Sequence, residues 1–92
     1  MYFNISDIEL SDYPQLPAPN IVPRYTANIN NAIPSLLKNC IHSYIYVWMK
    51  NNTDEFWMYI NNLKENLLSG YCWNGEMWEY KHIYLNYIDS YY

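Results

Sequence analysis

Between Tyr13 and Pro23 the chain reads Tyr-Pro-Gln-Leu-Pro-Ala-Pro-Asn-Ile-Val-Pro, with prolines at 14, 17, 19 and 23. Each proline holds its own φ near the polyproline value and removes a backbone donor, so regular helix is excluded from this stretch. The expectation is an extended arm lying across whatever the rest of the chain builds. Pro14 and Pro17 also have the P-x-x-P spacing of SH3 ligands. That spacing is common by chance, and a structural arm is the preferred reading.

With 92 residues in all, there is room for one domain: residues 1–25 as N-terminal segment and arm, and 26–92 as the core. Helical spacing dominates the core. Pro34 suits a first helical position, and Leu37, Cys40, Ile41, Tyr44, Val47 and Trp48 follow at intervals of three and four. The run Tyr44–Trp48 is also the residue set that strands prefer, which competes with this reading. Asn52, Thr53, Asp54 and Glu55 supply caps and early carboxylates for a second helix, whose apolar face is Phe56, Tyr59, Ile60, Leu63 and Leu67. Gly70 follows as its left-handed terminator. Tyr80, Ile83, Tyr84, Tyr87, Ile88 and Tyr91 repeat at helical spacing in a third, with Asn74 as its cap. The fold expected is mainly α, a small three-helix domain (34–50, 53–69, 75–91) with an extended arm. The named alternative is an α+β domain with a short hairpin around Asn74-Gly75. Near the N-terminus, a capping box at Ser6–Glu9 competes with an edge strand over Tyr2–Ile5.

Charge narrows the functions. Five basic residues stand against nine acidic ones, for a formal net charge of -4. Arg24, Lys38, Lys50, Lys64 and Lys81 are far apart, so the basic groove that nucleic-acid binding requires is missing, although stacking rings are plentiful. Anionic membrane surfaces are disfavoured on the same ground. The longest near-apolar stretch, Cys40–Met49, is about half of what a spanning helix needs. Met1–Ile5 shows no basic region followed by an apolar one, so no secretory signal is expected. An intracellular, reducing setting follows, with Cys40 and Cys72 as free thiols. Asn, Ile and Tyr are abundant, as an AT-rich genome such as that of many viruses and phages would produce.

No constellation of residues points to catalysis. Cys40, His42, Cys72 and His82 match a zinc site in number, but their spacing nucleates none. Asp54 with Glu55, and Glu76 with Glu79, are what helix starts attract. Gly70 and Gly75 are the only glycines, so no phosphate-cradling loop exists. No cofactor, metal or enzymatic activity is expected.

The informative excess is in rings. Twelve tyrosines and four tryptophans exceed what one small core packs well. Tyr and Trp combine apolar area with a polar handle and dominate binding hot spots. On the helical projection Met58, Trp78, Leu85 and Tyr92 fall off the core faces, so these four are the expected contact surface for a second copy or another protein. The function expected is non-enzymatic protein binding with self-association, as in an accessory factor or inhibitor acting on a host protein. A nucleic-acid-associated factor using aromatic stacking is the alternative.

Overall fold

A computed structural model describes residues 13–25, 30–51 and 53–92. The capping box at Ser6–Glu9, the competing strand over Tyr2–Ile5 and the cap at Asn52 lie outside them. Five antiparallel strands form one sheet: β1 (Tyr44–Met49), β2 (Glu55–Lys64), β3 (Leu67–Trp73), β4 (Trp78–Tyr84) and β5 (Ile88–Tyr91). Their order across the sheet is β4-β3-β2-β1-β5. The mainly α expectation is therefore corrected, and 26–92 is not a helical core. The helix expected at 34–50 is reduced to α1 (Pro34–Leu37) and a 3-10 turn at Lys38–Cys40, after which Tyr44–Met49 is a strand. The helix expected at 53–69 is β2 and the start of β3. That expected at 75–91 is β4, a 3-10 turn at Leu85–Tyr87, and β5.

The connection from β4 to β5 dictates the shape. These strands lie on opposite edges, four inter-strand gaps apart, about 19 Å if the sheet were flat. Only Leu85–Tyr87 separates them in sequence, and a 3-10 turn advances about 2 Å per residue, roughly 6 Å in all. The sheet must curl until its edges approach, which makes a small, partly closed barrel. Irregularities in the ladder, between Ile60 and Asn62 on β2 and between Trp48 and Met49 on β1, let the strands bend. Gly70 serves the same curl. It is not a helix terminator but a mid-strand residue, where a Cβ would collide with the Tyr59 carbonyl oxygen of the adjacent strand.

Local turns have local causes. The β2–β3 connection is a two-residue turn, Glu65-Asn66, with Glu65 at φ 57. The β3–β4 hairpin turns through Asn74–Met77. Here Asn74 caps no helix; its Oδ1 accepts from the backbone N–H groups of Glu76 and Met77 at 2.8 and 2.9 Å, and Gly75 takes φ 104.

Inside the barrel Ile45, Val47, Met58, Ile60, Leu68, Cys72 and Ile83 meet Leu85, Ile88 and Tyr91. Leu37 of α1 is fully buried against them, with Ala32, Cys40 and Ile41 packed alongside, so residues 32–41 close one end. Cys40 and Cys72 are both free thiols. Burial pushes the Cys72 thiol up to about 12. The Tyr91 hydroxyl, buried beside the Cys40 sulfur, is likewise raised to about 12.

Candidate functional site: an aromatic sheet face under a proline-rich arm

Residues directly opposite one another in paired strands share a face, and the register assembles rings on the face turned away from the core. Tyr44 pairs with Tyr59, Tyr59 with Tyr71, and Tyr71 with Tyr80, giving a row of four tyrosines across β1 to β4. Beside that row lie the pairs Tyr46–Trp57 and Trp73–Trp78, with Trp48 next along β1. Ring centroids stand 4.8 Å apart for Tyr44–Tyr59, 5.3 Å for Tyr46–Trp57, 5.0 Å for Tyr71–Tyr80 and 5.2 Å for Trp73–Trp78. These are the offset and edge-on contacts that aromatic pairs favour. Tyr44 on β1 also comes within 5.8 Å of Trp78 on β4, so rings from strands that are not neighbours lean together.

Across this face runs the arm, irregular as its prolines require. Tyr13 sets its ring edge-on to Tyr71 at 5.0 Å and donates its hydroxyl to the Trp78 carbonyl at 3.3 Å. The Trp78 indole N–H donates to the Leu16 carbonyl at 2.8 Å, and the Trp57 indole N–H to the Ile21 carbonyl at 2.9 Å. Tyr25 ends the crossing, edge-on to Trp48 at 5.3 Å, with its hydroxyl donating to Asp89 Oδ2 at 2.6 Å. The arm thus passes over the rings from β4 to β1 and reaches β5.

The fit is incomplete. Pro14 is buried, but Leu16, Ile21 and Val22 are 74, 73 and 62% exposed. An apolar cleft of about 400 Å³ stays open between Leu16, Pro17 and Pro19 of the arm and Tyr44 and Trp57 of the sheet. At the β1–β5 end a second cleft, about 360 Å³, is lined by Tyr25, Trp48 and Met49 with Asp54, Glu55 and Asp89. Glu55 accepts the Tyr46 hydroxyl at 2.8 Å, and burial with this carboxylate raises the phenol well above its usual value. The hydrogen bond from Tyr25 holds the Asp89 carboxyl below its ordinary range, and the same bond raises Tyr25.

The four residues expected as a contact surface are dispersed. Met58 and Leu85 are taken into the barrel interior, so neither is accessible. Trp78 is on the ring face but only 4% exposed, because the arm lies over it, while Tyr92 is exposed at the C-terminus. The rings that do share a face carry a period-two signal: Tyr44, Tyr46 and Trp48; Trp57 and Tyr59; Tyr71 and Trp73; Trp78 and Tyr80. Helical spacing hid it.

The site offers indole and phenol donors and apolar surface, with the carboxylates of Asp54, Glu55 and Asp89 at one end. Among the described residues no three His, Cys, Asp or Glu side chains gather as a metal cluster would require. His82 shares a 2.7 Å hydrogen bond with Ser69, while His42 lies apart in the turn before β1 at φ 67. No described helix is long and apolar enough to cross a membrane. Comparison with family models, with curated proteins and with solved structures finds no match.

Proposed function

We propose that this chain is a small non-enzymatic protein-binding domain whose recognition surface is the aromatic face of its barrel, open to a second copy or to another protein. The observation that carries the reading is the seating of an irregular polypeptide segment on that face by two indole N–H groups, both donating to main-chain carbonyls. Rings that combine wide apolar contact with fixed donors are the composition of binding hot spots. The free thiols of Cys40 and Cys72 suit a reducing, intracellular setting.

Charge favours protein over nucleic acid. Asp54, Glu55 and Asp89 line one end of the ring face, and Lys81 alternates away from Tyr80 on β4, which disfavours the basic groove that accompanies stacking rings in nucleic-acid binders. Native mass spectrometry up to about 1 mM, where an association worth roughly 4 kcal/mol becomes visible, tests the reading. The mass is expected to rise with concentration, less so in Tyr44→Ala and Tyr80→Ala, and unchanged by Tyr87→Ala in the 3-10 turn. A concentration dependence that survives both ring-face substitutions overturns this placement. Salt-sensitive binding of an oligonucleotide overturns the protein reading itself.

A further inference from the structure

The arm occupies the ring face without filling it, and this bears on what the face binds. Both indole bonds go to backbone carbonyls, at Leu16 and Ile21, five positions apart. They read the course of a main chain and not the identity of its side chains. Pro17 and Pro19, with Leu16 beside them, are the arm residues that face Tyr44 and Trp57 across the open cleft. Proline-rich chain is the favoured partner for such rings because its backbone is extended in advance, its carbonyls project outward, and little conformational freedom is lost on docking. The arm nevertheless turns Leu16, Ile21 and Val22 to solvent and contributes nothing to the sealed core. Its hold includes a pair of indole bonds, the buried Pro14 and the Tyr13 and Tyr25 contacts.

Resting on the protein-binding reading above, we propose that the ring face is a docking groove for a proline-rich extended segment of another polypeptide, and that residues 13–25 are a built-in competitor which that segment displaces. The cleft beside Pro17 and Pro19 gives an incoming segment apolar area that the arm leaves unused. The carboxylates of Asp54, Glu55 and Asp89 at the far end select against an acidic sequence and tolerate a basic one. The arm itself places Arg24 next to Tyr25 at that end.

The test titrates a synthetic peptide of residues 13–25 against the full-length chain and against a full-length variant with Pro14→Gly, Pro17→Gly and Pro19→Gly, followed by tryptophan fluorescence and calorimetry. A competitor docked about nine-tenths of the time weakens apparent affinity about tenfold, so the arm variant is expected to bind the peptide about tenfold more tightly than the parent. Adding Trp57→Phe to that variant, which keeps a ring but loses the donor, is expected to reverse the gain. A peptide with its prolines replaced by glycine is expected to bind neither. Equal affinity for parent and arm variant overturns the competitor role. Equal binding of the proline-free peptide overturns the ligand class, and absence of binding to an arm variant that keeps the parent's far-ultraviolet dichroism and cooperative denaturation overturns the groove. Growth of a dimer that excludes the peptide assigns the groove to an exchanged arm and also overturns it. If the peptide fails while association still responds to Tyr44→Ala and Tyr80→Ala, the protein-binding reading stands and only the proline-rich occupant falls.

Discussion

The same strands present two faces of opposite character. On the inner face Ile45, Val47, Met58, Ile60 and Leu68 are sealed in an aliphatic core closed by Leu37. On the outer face, one residue along in each strand, Tyr44, Tyr46, Trp57, Tyr59 and Tyr71 pack against neighbouring rings, with the arm seated over part of them. Apolar burial stabilises both in proportion to area, but the two covers differ. The inner cover is the barrel itself and cannot be removed without unfolding. The outer cover is a tethered segment, held by the Trp57 and Trp78 indole bonds and by the Tyr13 and Tyr25 contacts.

The largest predicted effect separates them directly. Leu68→Ala removes a fully buried side chain and is expected to destabilise by about 2–5 kcal/mol in chemical denaturation. Tyr80→Ala, at an exposed position on the neighbouring strand, is expected to stay within about 1 kcal/mol. Equal losses would mean that the outer rings are core, and the comparison would fail.

A smaller effect probes the turn that makes the two faces possible. Glu65 sits at φ 57 in the β2–β3 turn, a conformation that disfavours a side chain by about 1–2 kcal/mol. Glu65→Gly should therefore stabilise the protein, against the loss of about 1 kcal/mol that glycine brings to a helix interior. The sign of the change in denaturation midpoint decides between hairpin and helix.

That turn also explains what could be read in advance. Lys64-Glu65-Asn66-Leu67 carries none of the Asn-Gly chemistry that marks a tight hairpin, so β2 and β3 read as one helix. Covered on both faces, β2 shows Phe56, Met58 and Ile60 inward and Trp57 and Tyr59 outward, a nearly continuous apolar run. Within such a run, Phe56, Tyr59, Ile60 and Leu63 satisfy helical spacing by accident of selection. Asn74-Gly75 carried a turn signal that the preferred reading assigned to a helix cap, and the prolines of 13–23 excluded helix from the arm, because both signals act on backbone geometry alone. The ring surplus was legible as a number. Its location was not, since faces are assigned only after the period is known: projected at 3.6 residues per turn Met58 falls on a surface and at two it falls inside, while Leu85 is buried from the 3-10 turn that links β4 to β5.

Weaker again is the contribution of a single indole donor. Trp78→Phe keeps the ring over the sheet but loses the 2.8 Å bond to the Leu16 carbonyl, a change of about 0.5–1.5 kcal/mol. Because that bond holds the arm, the loss should appear as faster tryptic cleavage after Arg24, with the barrel's own denaturation midpoint little moved. Cleavage unchanged at Arg24 would place the arm's hold elsewhere.

The smallest effect belongs to the arm's far end, and its sign follows from two opposed shifts. Tyr25 donates to Asp89, both at the surface. Asp89 is lowered first by that bond and then by one from Ser90, with Lys50 adding a small electrostatic pull. A lowered carboxyl favours the docked arm above the ordinary carboxylate range and loses this contribution as pH falls through the depressed value. Tyr25 is raised by the same bond, so its contribution is complete below the ordinary phenol value of about 10 and disappears as pH rises through the raised one. Docking should therefore be strongest across a plateau between these limits and weaken at both ends. Tyr25→Phe should flatten both limbs, as followed by the fluorescence of Trp48, which Tyr25 covers. Solvent screens a pair so exposed, so the barrel's denaturation midpoint should not follow the same curve. If it does, arm and barrel are one cooperative unit, and the outer face is as permanently closed as the inner.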